Sequence, residues 1–409
     1  MAPKELDDAK KEEITKKLFY GTLVMMTGVT MVVPTRTPMV LAIKKGDAAA
    51  TAKVMGTMSA VAAIVELFVN PVIGKLSDAY GRRPFMTFAA AVNLVLHGLV
   101  GLFPMSLPMQ FVDRMISGAM IFGFLAPLQA SVADLYAAEP QKLGINAARV
   151  MQYFGVGCTV GPFIGSKLGG PKSFIASALT FLATMFYVNN VVEETLVDER
   201  KKKFKISEVN PIAFVKLFKE RTLKWLTITA GLQSFGDYVN IYDINNLFMI
   251  QVLKYQGEQI GKFAMTVGLT QILGGKATAT LTQKVGMFDA TLYGNLFWML
   301  GMIMMGTARN TKQAFFALAI WTFGHNRAAN VGALQQKYGG AQGMGRGEII
   351  ACNSNFLAYI KIMIPLLYSN LFAWATSGGR NMPGLPYFVV SALTGLSQVA
   401  FKIADAKAA

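Results

Sequence analysis

Only two cysteines, Cys158 and Cys352, occur in 409 residues, both inside apolar runs, so neither a disulfide framework nor a metal site of cysteine spacing can be built. Charge is scarce as well. Asp, Glu, Lys and Arg make up 15% of the chain, where a soluble protein carries roughly a quarter. No GxxxxGKS/T phosphate loop is present, which argues against an ATP-driven pump. No N-x-S/T glycosylation acceptor occurs, and the period-two alternation of an outer-membrane barrel is missing. Nothing in the sequence assembles a catalytic group or calls for a cofactor or metal, so an enzyme is not expected.

What fills the space is apolar. The chain is 53% hydrophobic, its mean hydropathy is +0.41, and the apolar residues come in blocks of about twenty, the length that spans a bilayer's hydrocarbon core. The expected fold is an all-α polytopic membrane protein with twelve transmembrane helices in two six-helix bundles. The spans fall near 18–42, 54–74, 85–105, 107–132, 148–169 and 173–193, then 225–250, 259–282, 288–308, 313–335, 348–374 and 384–403. Residues 1–17 are polar and charged, with no cleavable signal, and read as a cytoplasmic N-terminal segment. Residues 18–193 form the first bundle, 194–224 a cytoplasmic linker with the run Arg200 to Lys203, 225–403 the second bundle and 404–409 a cytoplasmic tail. The net charge of +16 is no mark of a nucleic-acid partner. With the N-terminus inside, most Lys and Arg fall in the inner loops, which is how a membrane protein is oriented. The partners expected are the lipid bilayer, a small-molecule substrate and protons, with the chain a monomer.

One polar stretch between apolar runs stands out: Gly74 to Pro84, GKLSDAYGRRP. It reads as a tight intracellular turn. Gly74 would let a neighbouring helix approach, Asp78 would accept from an open helix N-terminus, Gly81 would reverse the chain, and Pro84 would begin the next helix. Arg82 and Arg83 suit the inner face, and Asp134, at the inner end of the fourth span, is their natural partner. LTQKVG, Leu281 to Gly286, repeats the spacing of LSDAYG, Leu76 to Gly81, with Gln283 where Asp78 stands. Two further stretches carry chemistry. Arg114 and Gly118 lie in the fourth span, and GCTVGPFIG in the fifth sets Gly157, Gly161 and Gly165 on one face, bent by Pro162.

These residues resemble the major facilitator superfamily of secondary transporters. GKLSDAYGRR is similar to that family's loop between spans 2 and 3, Arg114 with Gly118 to its fourth-span motif, and Gly157 to Gly165 to its fifth-span antiporter motif, with Ser166 in place of a final glycine. NPVIGKLSDAYGRRP and VADLYAAEPQKLGINAARV resemble in particular the tetracycline-resistance-type, drug:proton antiporter branch. The resemblance implies alternating access around a cavity lined by spans 1, 4, 7 and 10. It implies a conformational latch of Gly74, Asp78, Gly81, Arg82, Arg83 and Asp134, with Asp78 capping the start of span 11. The branch carries an acid in its first span; this chain has none there and has Arg36 instead.

A charge in the hydrocarbon core is costly and marks a cavity or a partner. Arg36, Asp113, Arg114, Asp237, Asp243, His325 and Arg327 fall in the four cavity spans, with Glu66 in span 2, and these are the candidate substrate or proton residues. His97 in span 3 reads as a hydrogen-bonded packing residue. His325 and Arg327 lie toward the inner end of their helix, where snorkelling to the surface is an alternative. The function expected is secondary active transport of a small organic solute by efflux or proton-coupled antiport. A nutrient uniporter or symporter and a non-transporting receptor or scaffold stay open.

Overall fold

The computed structural model describes residues 7–136, 139–196 and 212–404, all of them helices and short turns. The Arg200 to Lys203 run and the far ends of both tails lie outside these residues.

Span 1 is two helices, α1 (Asp8–Met31) and α2 (Val33–Ile43). Pro34 has no N–H to continue the ladder, and the chain restarts with Thr35 and Arg36 both donating backbone N–H groups to the Val32 carbonyl. Spans 2 to 6 are α3 (Ala48–Tyr80), α4 (Arg82–Leu102), α5 (Leu107–Leu135), α6 (Pro140–Leu168) and α7 (Gly170–Val191). A 3-10 turn, Ala213–Phe218, precedes span 7, which is again two helices, α8 (Arg221–Ser234) and α9 (Tyr238–Gln251). Spans 8 and 9 run through α10 (Gly257–Thr307), which turns at Gly286, and span 10 is α11 (Thr311–Thr322) followed by α12 (Arg327–Ala341). Spans 11 and 12 are α13 (Arg346–Thr376) and α14 (Leu385–Ile403). Six helical stretches among the described residues are individually long and apolar enough to cross a membrane. Spans 7 and 10 miss that test because each half holds only 12 to 15 residues.

Two expectations for the 74–84 stretch need correction. It is not an eleven-residue turn: α3 stays helical to Tyr80 and α4 begins at Arg82, so Gly81 alone makes the reversal, at φ 112°. The interface costs a polar helix nothing, so the helix runs past the apolar span until glycine allows the left-handed backbone. Gly74 is not there for close approach either, since no described atom lies within 4 Å of where its Cβ would stand.

The chain divides into two compact units. One holds Met1–Met39, Phe68–Val209 and Gly257–Gly268, the other Val40–Leu67, Asn210–Gln256 and Leu269–Ala409. In the first unit the α6 glycines are packed against α1. A Cβ on Gly157 would stand 2.7 Å from that of Met26, one on Gly161 2.5 Å from the Thr27 carbonyl, and one on Gly165 would enter the Met31 carbonyl. Pro162 leaves the Cys158 carbonyl without its helical donor, and Gly268 passes over that oxygen, 3.0 Å from its own Cβ position. In the second unit Gly56 of span 2 lies against Ser369 and the Pro365 carbonyl of α13.

The helix contacts therefore predict opposite outcomes for two glycines of similar sequence context. Gly165→Val should lower the thermal unfolding midpoint sharply by overpacking the backbone of α1, a loss of about 1–3 kcal/mol or more. Gly74→Ala, in open space within a helix, should raise stability by up to about 1 kcal/mol. Midpoints of the two purified variants would decide it, and equal midpoints would refute the packing account.

Candidate functional site

In the first unit the in-span charges gather at one point. Arg36 of α2 points at Asp113 of α5, Nη2 to Oδ2 at 2.5 Å, and both side chains are buried. The Phe174 ring covers the guanidinium at 5.1 Å. His97 of α4 closes the group. Its Nε2 stands 3.4 Å from Asp113 Oδ1, and its Nδ1 lies 2.7 Å from the Ser177 hydroxyl. That hydroxyl donates to the Gly28 carbonyl at 2.6 Å, so its proton is committed. The pattern requires the ring to carry its proton on Nδ1 and donate to Ser177. The Nε2 lone pair then faces a carboxylate oxygen that Ser117 already donates to, at 3.0 Å. Two acceptors stand face to face, and the gap between them is where one further proton fits.

The second unit answers with broken helices. Span 7 opens between Ser234 and Tyr238, span 10 between Thr322 and Arg327, each near the middle of its span. Breaks at this depth free carbonyls that no lipid can satisfy. Tyr368 of α13 donates to the Phe235 carbonyl at 2.9 Å. Arg327 donates to the Gln233 carbonyl at 3.0 Å and the Gly324 carbonyl at 3.3 Å, with its guanidinium 4.2 Å from the Trp298 ring centre. Asp237, at the N-cap of α9, reaches within 3.8 Å of Arg327, too far for a hydrogen bond. Behind them a chain of amides, Gln233 to Asn295 to Gln398, crosses spans 7, 9 and 12 at 2.9 and 2.8 Å. Arg327 is 1% exposed, so it does not snorkel, and its place is the mid-span break rather than the inner end of its helix.

At the turn between α3 and α4, Arg82 joins Asp134 at 3.2 Å and also pairs with Asp78. The sequence gives no hint of Glu194. Its two oxygens accept the backbone N–H groups of Arg82 and Arg83 at 3.0 and 2.9 Å, capping the start of α4. It also stands where a Gly81 Cβ would be, at 2.7 Å. Arg83 does not hold Asp134; it donates to the Asn189 carbonyl at 2.5 Å. Next to these, Glu193 accepts from Lys10 and Lys17 at 2.8 and 3.0 Å, hydrogen bonds that hold its carboxyl below the usual carboxylate range. A depressed carboxyl contributes stability above its unfolded value and loses it as pH falls through the folded one, so this tie is intact at neutral pH.

The sequence pattern of the Major Facilitator Superfamily matches residues 18–347. The chain belongs to that family. The tetracycline resistance protein, class H, of Pasteurella multocida is 29% identical over 194 residues, which is 44% of this chain and 46% of that protein. Multidrug resistance protein 1 of Bacillus subtilis (strain 168) is 25% identical over 182 residues, 44% of this chain and 45% of that one. These matches span about half the length of the relatives. The crystal structure of the human organic anion transporter MFSD10 (TETRAN) superposes with a TM-score of 0.68 over 96% of this chain and 99% of that one, at 16% identity, a likeness of fold. The fold is the major facilitator fold, and the protein is a multi-pass membrane protein.

Within this major facilitator fold the expected site residues sort by geometry. Arg36 with Asp113, Arg327 with Asp237, and Arg82 with Asp78 and Asp134 are brought together. Arg114, the neighbour of Asp113, is half-buried, and its neighbour pairs with Arg36 rather than with it. Asp243 accepts from Ser59 of α3 at 3.2 Å. Glu66 lies half-buried on the same face of α3 as Ser59, seven residues on. His325 sits in the span 10 break with its ring 5.7 Å from that of Trp298. Gln233, Trp298 and Tyr368 were not anticipated. A glutamine in an apolar run is a weak signal, and the two aromatics read as ordinary filling.

The Arg36–Asp113 pair predicts non-additivity. Asp113→Leu or Arg36→Met alone should cost about 3–5 kcal/mol by leaving a buried charge unpaired, whereas the two together should recover most of the loss. Thermal midpoints of the four proteins of the cycle measure the coupling; additive losses would rule the pair out.

Proposed function

We propose that this protein carries a small organic solute across a membrane by alternating access, exporting it in exchange for protons. The observation that carries the reading is the Arg36–Asp113–His97 group, where a carboxylate and an imidazole lone pair face each other at 3.4 Å beside a buried guanidinium. Arg36 and a proton compete for the same carboxylate. When Arg36 holds it, the proton is released; when Arg36 withdraws, Asp113 and His97 keep it. The export direction is supported by relatives named for tetracycline and multidrug resistance.

Asp113 and His97 are the proposed proton residues. Arg114, Glu66 and the break in spans 7 and 10, with Asp237, Asp243, His325 and Arg327, form the proposed solute path. The inner-end cluster is the proposed latch. In the state closed to the inside, Asp78 leaves Arg82 to cap a helix start, the role its position near Gly81 allows, while Arg82 stays on Asp134. The two six-helix halves, 18–193 and 225–403, are the moving parts, joined by the linker.

Reconstitution in liposomes under an imposed pH gradient, with solutes of different charge, tests the reading. The gradient should drive solute accumulation. His97→Gln should abolish that drive while labelled solute still exchanges against unlabelled. Flux indifferent to pH would mark a uniporter instead, and silence across all solute classes a receptor or scaffold. Asp78→Asn and Gly81→Val should slow flux severalfold with the protein still in the membrane; flux at the wild-type rate in either would refute the latch.

A further inference from the structure

We propose that the break in span 7 is a binding site for one anionic group, a carboxylate or its equivalent, on the solute this protein carries. The inference rests on the transport reading and specifies the chemistry of what is carried.

Three independent features converge on the break. The first is the backbone. Asp237 occupies the N-cap of α9 but makes no capping hydrogen bond, so the positive end of that 14-residue half-helix is left without a side-chain acceptor near the middle of the span.

The second is a set of buried donors that no acceptor among the described residues uses. Arg327 and Trp298 are each 1% exposed. Among the described residues, Arg327 Nε and Trp298 Nε1 have no hydrogen-bond partner. The indole N–H and the guanidinium both border the break, because a Cβ on Gly236 would lie 2.9 Å from Trp298 Nε1 and 3.2 Å from Arg327 Nη2. Holding the Gln233 and Gly324 carbonyls accounts for Nη2 and Nη1 of Arg327. It does not account for Nε or for the indole N–H. Buried donors of this kind cost about 1–3 kcal/mol each when left unmet.

The third is charge. Arg327 and Lys361 are the charges that act on Asp237. Lys361 stands on α13, at the middle of span 11, and is exposed. That carboxylate sits 3.8 Å from Arg327 with its side chain 45% exposed, and Lys361 adds a weaker positive charge to its surroundings. An uncompensated cation at this depth is costly. A second carboxylate balances the charge, and Asp237 is the internal group it displaces from Arg327.

The full-length protein in lipid nanodiscs tests this with benzoate, salicylate and indole-3-acetate, each beside its uncharged amide. Thermal midpoint and tryptophan fluorescence are the readouts, since Trp298 is one of four tryptophans. The carboxylates should raise the midpoint and change the emission, and the amides should do neither. Lys361→Gln should keep the ligand-free midpoint and weaken carboxylate binding about tenfold, as loss of one charge contact does. Asp237→Asn should tighten binding, an effect of competition that a merely structural aspartate would not produce. Arg327→Lys, which keeps the charge and loses the fork, should weaken it. If no carboxylate binds, if acids and amides behave alike, or if Lys361→Gln binds as well as the parent, the site is refuted. The transport reading fails separately: carboxylates that bind but never cross the liposome membrane would remove it and leave the site standing, whereas pH-driven solute flux with no carboxylate binding would do the reverse.

Discussion

A charge placed at mid-membrane has to be met by the chain itself, because the surrounding hydrocarbon offers nothing. This constraint organises the molecule. Arg36 and Arg327 are the two cations most deeply buried in the spans, and each fixes its surroundings. Around Arg36 the answer is a set of side chains: a carboxylate, an imidazole and two serines drawn from spans 3, 4 and 6. Around Arg327 it is backbone: carbonyls released where spans 7 and 10 break, with the indole face of Trp298 as the remaining wall. The close passages follow. Gly294 and Gly324 must be small because spans 9 and 10 touch beside the arginine; a Cβ on Gly294 would stand 3.0 Å from that of Arg327.

The twelve spans were legible because twenty apolar residues have few alternatives in a chain this poor in charge. What crossed span boundaries was not. Pairing of Arg36 with Asp113 brings residues 77 apart in sequence together, and no periodicity specifies which in-span acid meets which in-span base. The breaks in spans 7 and 10 were hidden for another reason. Gly236 and Gly324 are ordinary residues for a membrane helix, and neither break contains a proline to announce it. In span 1 the helix restarts beside Pro34. The turn at Gly81 is shorter than the polarity around it suggests, because charged residues at an interface are as helical as any. Glu194 was out of reach, since a linker residue capping a helix start 112 positions away leaves no local trace.

Gly81 and Gly286 make matching turns. Gly286 adopts φ 83° and ψ 166°, close to the 112° and 158° of Gly81, so LTQKVG and LSDAYG are the same turn in backbone as well as in sequence spacing. The side chains diverge. Ser77 accepts from the Arg82 guanidinium, which also holds Asp78 and Asp134. At the matching position Thr282 shares hydrogen bonds with Asn330, at 3.2 and 3.0 Å, with no charge involved. A neutral pair of this kind is satisfied in place and gains little by exchanging partners. An arginine shared between two carboxylates is different: either acid can leave while the other keeps the cation compensated. The first turn can thus release Asp78 at small cost, and the second has nothing equivalent to release. The two turns thus share a backbone and differ in chemistry, an exchangeable ion cluster at Arg82 against a neutral hydrogen-bonded pair at Thr282.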